Sequence, residues 1–422
     1  MSDMRPAGIV PAVRRQRRLA TKARVGSVGL LLAVTAAAAA LPARATATTP
    51  PAPAPTPAPT TTVSPPPDSP FDEAVGGSGL ATIGVPAVAA GAPAVQAVDA
   101  TAWLVADLES GDVLAALNAH APLPPASTLK LLTALALLPG LEPDTALTAT
   151  EQDVVVEGSR VGLVPGHEYT LADLEHGILL ASGNDAATAL ARLTGGLPTA
   201  LRMMNDEAAR LGAFDTNATT PHGMDEPGQV SSAYDLALIG RAVLADERMA
   251  ALVRTPTYDF PGMDGETFQI QNQNRLLGSY EGTIGLKTGF TTVAGHTLVA
   301  AAERGDARLV AVVLGAEGRA ETAAQSLLDW GFAAQPTAEP IGSLVTPDEV
   351  ARARAEHDER PQPADGAVQQ AVDEAVDSAV SVLPGWVWGG LLVLAVGGLL
   401  GLARRRRRRS LGRYSEPPSR SP

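Results

Sequence analysis

Two long uncharged apolar runs, one near each end of this 422-residue chain, limit where a folded core can form. The first runs from Val25 to Leu41 and is followed by Ala43-Arg44-Ala45, a small-residue pattern typical of signal cleavage. The basic residues that precede it are Arg14, Arg15, Arg17, Arg18, Lys22 and Arg24. Because this charge pattern stands at the extreme N-terminus, it favours an export signal over a buried alanine-rich helix. The sequence therefore predicts a signal peptide at residues 1–45.

The second apolar run, Gly385 to Ala403, carries no charge and is long enough to cross the hydrocarbon core of a bilayer. Trp386 and Trp388 stand at its first end, where aromatic belts form, and six arginines, 404–409, follow its other end. By the positive-inside rule the arginines remain cytoplasmic. The sequence thus predicts a transmembrane helix at 385–403, a basic cytoplasmic tail at 404–422, and an extracytoplasmic location for the residues before the helix.

Charge separates the predicted external part from the two ends. Between the signal peptide and the tail lie 43 of the 45 acidic residues but only 16 of the 32 basic ones, a net charge near −27. Such an acidic domain is a poor partner for nucleic acid. The arginine run could bind nucleic acid, but its place directly behind an apolar span favours a stop-transfer role. The chain has no cysteine, which excludes disulfides and thiolate chemistry.

Composition divides the external part further. Residues 46–92 begin with a Pro/Thr/Ala-rich stretch and are predicted to form an extended linker. Residues 336–384 interleave charged residues, glutamine and proline, and are predicted to form a second flexible linker. Only residues 93–335 offer enough apolar side chains for a substantial core. No internal repeat is evident in the sequence.

The pattern inside 93–335 is mixed. Two apolar runs separated by Ser110-Gly111 predict a β-hairpin, and three runs after residue 282 predict strands, the last two joined by Arg304-Gly305-Asp306. Helical spacing marks the segments between them, and the segment that begins at Ser232 has a serine cap. Strands at both ends with helices between them predict an α+β fold, not a repeated βαβ unit.

Ser127 and Lys130 are the first candidate site residues. Three residues apart on a helix, their side chains lie on one face about one turn apart, so a neutral lysine amine could take the Ser127 proton. Arginine could not replace it, because a guanidinium is not deprotonated in proteins. Taken alone the pair is weak, since Ser-x-x-Lys arises often by chance and a lysine can simply extend its amine to solvent from an amphipathic helix.

Two further short motifs are also weak alone. Lys287-Thr288-Gly289 lies in a predicted strand, where Lys287 shares a face with Gly285 and Gly289 and could bind an anionic group; an edge lysine that discourages strand pairing is the alternative. Ser182-Gly183-Asn184 lies in a turn between two predicted helices, and all three are ordinary loop residues.

The order of the three motifs is far more specific than any one of them. Ser-x-x-Lys, Ser-x-Asn and Lys-Thr-Gly, in that order, form the signature of penicillin-binding proteins and serine β-lactamases. The chain has 29 arginines but only three lysines, and both lysines of the external part, Lys130 and Lys287, occupy motif positions.

The segment from about 98 to 332 therefore resembles the D-alanyl-D-alanine carboxypeptidases, the low-molecular-mass penicillin-binding proteins. The likeness extends to "GSRVGLVPGHEYTLADLEHGILLASGNDAATALA" (158–191) and "NQNRLLGSYEGTIGLKTGFTTVAGHTLVAAA" (272–302). The resemblance implies a β-lactamase/penicillin-binding-protein-like transpeptidase fold, with an antiparallel sheet packed against helices and a helical subdomain. It also fits a membrane location with the catalytic domain outside.

The resemblance further implies a role for each motif residue. Ser127 would be the acylated nucleophile and Lys130 its general base, and Ser182 would relay a proton to the leaving amine. Asn184 would bind substrate and position Lys130. The substrate-binding strand would contain Lys287, Thr288 and Gly289. The side chains of Lys287 and Thr288 would bind the terminal carboxylate of the substrate.

The backbone N–H groups of Ser127 and Phe290 would form the oxyanion hole, whose donors each contribute ~3 kcal/mol to transition-state stabilisation in such enzymes. Substrates would be peptidoglycan stem peptides ending in D-Ala-D-Ala, and β-lactams would be covalent inhibitors. No metal or cofactor is implied.

Two departures and two alternatives accompany this interpretation. A β-rich C-terminal domain, common in the family, has no counterpart before the anchor, and Arg319 is the only cation near the position where the family often has an arginine. A class A β-lactamase would need a Glu-x-x-x-Asn loop, yet Val230 stands four residues after Glu226. A non-catalytic wall-binding scaffold is the other alternative, which the complete motif set opposes.

Overall fold

The computed structural model describes residues 64, 66–142 and 144–360. The predicted signal peptide (1–45), transmembrane helix (385–403) and cytoplasmic tail (404–422) lie outside the described residues. Among the helices that are described, none combines the length and the apolarity that a bilayer crossing requires.

The described chain alternates strands and helices. The strands are β1 (Ala87–Val88), β2 (Ala102–Asp107), β3 (Asp112–Leu117), β4 (Ala146–Thr148), β5 (Glu168–Thr170), β6 (Thr257–Pro261), β7 (Thr267–Gln271), β8 (Thr283–Thr291), β9 (Gly295–Arg304), β10 (Ala307–Ala316) and β11 (Gly342–Ser343). The α-helices are α1 (Lys130–Leu137), α2 (Glu151–Val154), α3 (Leu171–Leu179), α4 (Asn184–Leu193), α5 (Leu197–Leu211), α6 (Ala233–Ala245), α7 (Glu247–Arg254), α8 (Ala320–Ala334) and α9 (Pro347–Glu359). Short 3₁₀ turns cover Ser78–Leu80, Ala126–Leu129 and Met263–Gly265.

One antiparallel sheet organises the fold. Its strands run in the order β1-β3-β2-β10-β9-β8, and β11 also pairs with β3. The predicted hairpins β2–β3 and β9–β10 are present, with Gly111 and Gly305 at positive φ in their turns. The α+β prediction is confirmed, since helices α1 to α7 lie between strands of the sheet in sequence.

The two faces of the sheet carry different helices. Trp103 and Val105 of β2 point to the cluster that includes Leu327 of α8, whereas Leu104 and Ala106 point to the larger cluster that contains the buried residues of α6. This alternation follows from the two-residue period of a strand. Four other helices pack on one another and form the helical subdomain that the resemblance implied: α1, α3, α4 and α5.

Side-chain caps fix where several helices begin. The Ser232 hydroxyl accepts the N–H of Asp235 at 3.1 Å at the start of α6, as the sequence predicted. At the start of α3, Thr170 and Asp173 form a capping box in which each side chain accepts a backbone N–H of the other. These caps fix the first residues of α3 and α6.

The linker predictions need correction at both ends of the domain. The predicted linkers 46–92 and 336–384 were expected to be flexible, yet β1 and β11 pair with the edge of β3 and α9 packs beside α5. Val75, Leu80, Leu344, Val345 and Val350 are buried there. At a sheet edge, a few apolar side chains and backbone hydrogen bonds suffice to hold a short segment in the fold. Such segments have no long run of bulky apolar residues, so their sequence resembles that of a linker.

Candidate active site

A sharp turn presents Ser127. The residue lies in the 3₁₀ turn Ala126–Leu129, and α1 starts at Lys130, so the predicted helix begins one turn later than its apolar spacing indicated. The preceding residue, Ala126, has a φ of +49°, which is rare for a residue with a side chain and is typical of strained functional sites. The Pro125 carbonyl accepts hydrogen bonds from Thr128 Oγ1 at 2.6 Å and from Thr297 Oγ1 at 3.0 Å. The bond from Thr128 lies within the turn, and the bond from Thr297 joins the turn to β9.

The Lys130 amine is buried and surrounded by three oxygens. Its Nζ lies 2.8 Å from Ser127 Oγ, 2.7 Å from Asn184 Oδ1 and 2.6 Å from the carbonyl oxygen of His222. Burial, followed by the positive charge of Lys287, lowers the pKa of Lys130 well below its usual value. The geometry and the electrostatics therefore both favour a neutral amine beside the serine.

The loop between α3 and α4 brings the second motif to the same place. Ser182 has a φ of +61°, and Asn184 is the first residue of α4. The Asn184 amide donates from Nδ2 to the carbonyl of Glu157, which leaves Oδ1 for Lys130. Ser182 and Ser127 both line one cleft.

The third motif lies on β8. Lys287 is almost fully buried, its Nζ donates to the Thr288 carbonyl at 2.8 Å, and burial lowers its pKa to about 7. Thr288, Gly289 and Phe290 line the cleft. A methyl group at Gly289 would stand 2.7 Å from the backbone nitrogen of Ser127. The glycine is therefore required for close contact between β8 and the turn Ala126–Leu129, which we call the nucleophile turn.

The cleft has a volume of about 770 Å³. Predicted residues that line it are Ser127, Ser182, Thr288, Gly289 and Phe290, with Arg319 beside them. Lys130, Asn184 and Lys287 are buried behind this surface. Its remaining lining residues, which sequence reasoning missed, are Ser159, Gln271, Asn272, Gln273, Arg275, His296 and Glu321.

Sequence reasoning also missed the support from residues 221–225. The His222 carbonyl contacts Lys130, and burial followed by the Lys130 charge lowers the pKa of the His222 imidazole to about 4. Gly223 has a φ of +85°, and a methyl group there would collide with the Ala126 carbonyl. Asp225 accepts a hydrogen bond from Thr291 Oγ1 at 2.8 Å. In the sequence, Gly223 after Pro221-His222 is compatible with a tight turn. Nothing in these residues indicates that the turn contacts Ala126 or Lys130.

Glu226, considered above as a deacylating residue, is exposed and does not line the cleft. Among the described residues no group of three or more His, Cys, Asp or Glu side chains could hold a metal ion. A serine hydroxyl, a buried amine with a lowered pKa and a second buried lysine remain as the chemical groups of the site. These groups are typical of a serine hydrolase site, in which a hydroxyl beside a neutral amine is a candidate nucleophile.

Comparison with known proteins agrees with that class. A family model described as D-alanyl-D-alanine carboxypeptidase matches residues 87–318. D-alanyl-D-alanine carboxypeptidase DacB2 of Mycobacterium tuberculosis is 45% identical over 252 residues, which cover 58% of this chain and 86% of the relative. DacC of Escherichia coli is 38% identical over 260 residues, covering 58% of this chain and 64% of the relative.

The fold has solved counterparts as well. The crystal structure of a D-alanyl-D-alanine carboxypeptidase from M. tuberculosis shares 42% identity and a TM-score of 0.59, and the match covers 61% of this chain and 99% of that one. The chain belongs to the D-alanyl-D-alanine carboxypeptidase family. The predicted family and the antiparallel-sheet fold are thereby confirmed, and they favour the carboxypeptidase over the β-lactamase and the scaffold.

Proposed function

We propose that this chain removes the terminal D-alanine from peptidoglycan stem peptides ending in D-Ala-D-Ala, through an acyl-enzyme on Ser127. The observation that carries the proposal is the 2.8 Å contact between Lys130 Nζ and Ser127 Oγ inside a buried site. Family membership supplies the substrate class, since the matched family and relatives are D-alanyl-D-alanine carboxypeptidases.

The proton positions around Lys130 support its role as base. Asn184 Oδ1 and the His222 carbonyl can only accept hydrogen bonds. A neutral amine has two N–H groups for these two oxygens and one lone pair, which is left for the Ser127 hydroxyl proton. Ser127 Oγ then attacks the carbonyl carbon of the penultimate D-alanine as its proton passes to Lys130.

The other motif residues complete acylation. The oxyanion would be held by the backbone N–H groups of Ser127 and Phe290, adjacent across the β8 contact at Gly289. Ser182, which lines the cleft, would relay the proton to the leaving amine, so that D-alanine departs as the C–N bond breaks. Lys287 and Thr288 would attract the terminal carboxylate, and Arg275 and Arg319 are further cations that line the cleft.

Hydrolysis then restores the enzyme. A water molecule adds to the ester carbonyl, its proton passes to Lys130, and the ester C–O bond breaks as Ser127 regains its proton. The products are free D-alanine and a peptide shortened by one residue. β-Lactams would acylate Ser127 by the same first step.

One assay tests the activity. A defined pentapeptide ending in D-Ala-D-Ala should release D-alanine, and a cross-linked dimer in a parallel reaction measures any endopeptidase activity. Folded Ser127→Ala should release no D-alanine and take no label from fluorescent penicillin. A wild-type chain that releases none and takes no label would refute the proposal.

Lys130→Arg tests the proposed base in the same assay. Arginine keeps a long basic side chain but cannot be deprotonated, so acylation should fall by the ~10²–10⁴-fold that a general base contributes. Circular dichroism checks that the variant is folded. Normal acylation by a folded Lys130→Arg variant is incompatible with Lys130 as the base.

We further propose that the catalytic domain lies outside the cell, attached by a helix at 385–403. Support comes from the uncharged run 385–403, the arginines behind it and the basic N-terminal segment. The full chain should sediment with membranes, and protease added outside should digest the catalytic domain. Recovery of the chain in the soluble fraction would contradict this location.

A further inference from the structure

A buried carboxylate holds one wall of the active site. Asp185 follows the Ser-Gly-Asn motif on α4 and is fully buried. Its Oδ1 accepts the backbone N–H groups of Val161 at 2.9 Å and Ala186 at 2.9 Å. Its Oδ2 accepts those of Gly162 at 2.8 Å and Leu163 at 3.1 Å. One side chain thus fixes three successive residues of the loop 157–163 to the start of α4.

The same loop determines how Asn184 is oriented. Its backbone N–H donates to the Ser159 carbonyl at 2.8 Å, and its Nδ2 donates to the Glu157 carbonyl. A flipped amide would set its oxygen against the Glu157 carbonyl, two acceptors facing each other, and its NH₂ group would compete with the Ser127 hydroxyl for the Lys130 lone pair. The Glu157 carbonyl therefore selects the orientation in which Oδ1 faces Lys130.

Glycines on both sides show how closely these parts pack. A methyl group at Gly183 would stand 2.8 Å from Asp185 Oδ1 and 3.0 Å from the Val161 nitrogen. Gly158 has a φ of +82°, and a methyl group there would stand 2.8 Å from Asn184 Nδ2. The middle residue of the motif is a glycine because the carboxylate and the loop occupy the space of a side chain.

We infer that Asp185 is a positioning residue for the catalytic base: it clamps the loop 157–163 so that Asn184 presents its oxygen to Lys130. The inference rests on the proposed role of Lys130. Without the clamp, the Glu157 carbonyl would no longer fix the Asn184 amide, and the amine would lose one of the two acceptors that direct its lone pair to Ser127.

Asp185 also acts on Lys130 through its charge, in the opposite sense to burial. A negative charge favours the ammonium form, and Asp185 raises the pKa of Lys130, although burial and Lys287 outweigh it. Removing this charge should therefore lower the pKa of Lys130 further. An exclusively structural role for Asp185 would leave that pKa unchanged, so the titration of Lys130 separates the two cases.

Asp185→Asn is the direct test, made on the full chain labelled with ¹³C-lysine. Only three lysines occur in the sequence, so Lys130 can be assigned and titrated. The variant should titrate Lys130 at lower pH than the wild type, because one carboxylate charge is gone. Its amide NH₂ meets backbone donors, so the loop moves and penicillin acylation should fall by about 10²-fold, as for a misplaced catalytic group.

Asp153→Asn is the matched control. Asp153 is also buried and binds Arg192 in the last turn of the same helix, α4, and its hydrogen bonds go to Thr150 and Arg192, not to the loop 157–163. This control should lower the melting temperature while the Lys130 titration and the acylation rate stay at wild-type values. A folded Asp185→Asn variant that behaves like the control would overturn the inference.

Gly158→Ala decides the matter if Asp185→Asn does not fold. It displaces the Asn184 amide and keeps the Asp185 carboxylate. Acylation should therefore fall, while the Asp185 charge continues to raise the pKa of Lys130. Wild-type acylation by this variant overturns the inference. If the wild type takes no penicillin, the proposed function fails, whereas the Lys130 titration still decides whether Asp185 acts on the amine.

Discussion

At the scale of single residues, the mechanism proposed above gives the two buried lysines different roles and different protonation states. In that mechanism Lys130 is neutral to accept a proton, and Lys287 is charged to attract a carboxylate. Both are buried, which lowers the pKa of each, and the charge of Lys287 lowers that of Lys130 further. The charged form of one lysine thus favours the neutral form of the other.

This arrangement predicts a loss of peptide binding at alkaline pH. Burial sets the pKa of Lys287 to about 7, so its positive charge is present below that pH and is lost above it. The kcat/KM for a D-Ala-D-Ala peptide should therefore fall as pH rises through the neutral range. Lys287→Arg, which stays protonated, should show no such fall between pH 7 and 9, although its absolute rate is lower. A wild-type profile that is flat through this range would contradict the role of Lys287.

At the scale of elements, the site depends on three pieces of chain that touch without room between them. The nucleophile turn contacts β8 at Gly289 and the 221–225 segment at Gly223. The resemblance to the family places Gly289 on the substrate-binding strand. The structure assigns it a nearer neighbour, the Ser127 backbone, because the turn packs directly on the strand.

Gly289→Ala should therefore inactivate the enzyme more than it destabilises it. The added methyl group would stand 2.5 Å from Thr297 Oγ1 and 2.7 Å from the Ser127 nitrogen, so the turn must move away from β8. A shift of this kind costs about 10²-fold in rate for a group held in attack geometry. Penicillin acylation and the melting temperature measure the two effects.

Gly140→Ala is the control for that substitution, since Gly140 is exposed and a methyl group there meets no atom within 4 Å. It should change neither acylation nor melting temperature. Wild-type acylation by Gly289→Ala would show that the turn tolerates a side chain at this contact.

At the scale of the whole molecule, the domain and its apolar core extend beyond the predicted bounds 93–335, since Val75, Leu80 and Leu344 are part of that core. The ring of the buried Tyr234 packs against His120 at a tilt of 39°, with ring centroids 4.7 Å apart. Its hydroxyl donates to the Ser343 carbonyl at 2.8 Å and accepts the Val345 N–H at 3.1 Å. His120 Nε2 lies 3.1 Å from the Val75 carbonyl. The segment before residue 93 and the segment after residue 335, which we call the terminal segments of the domain, are therefore held to the same part of the core.

A comparison of two fragments tests this extension. The fragment 64–360 should fold with the melting behaviour of the intact catalytic domain. The fragment 93–335 lacks β1, β11 and α9, so it exposes apolar surface and leaves the buried Tyr234 hydroxyl without protein partners, a loss of about 1–3 kcal/mol for that group alone. Its melting temperature should be lower. Equal melting temperatures would show that the terminal segments add nothing to stability.

The sequence by itself determined the chemistry and much of the framework. The order of Ser127, Lys130, Ser182, Asn184 and Lys287 identified the family, and the rarity of lysine made those positions stand out. Strand and helix periodicity located the sheet and the helices on either side of the Ser-Gly-Asn loop. These features are local, since a motif or a period is contained in a few neighbouring residues.

The tertiary structure alone decided what surrounds that chemistry. The His222 carbonyl at Lys130, the Asp185 clamp on the loop 157–163 and the edge strands β1 and β11 all join residues distant in sequence. A backbone carbonyl is present in every residue, so the sequence does not show which one contacts Lys130. Likewise, the residue type of Asp185 does not show that its carboxylate is buried. Their functions arise from contacts that exist only once the chain has folded.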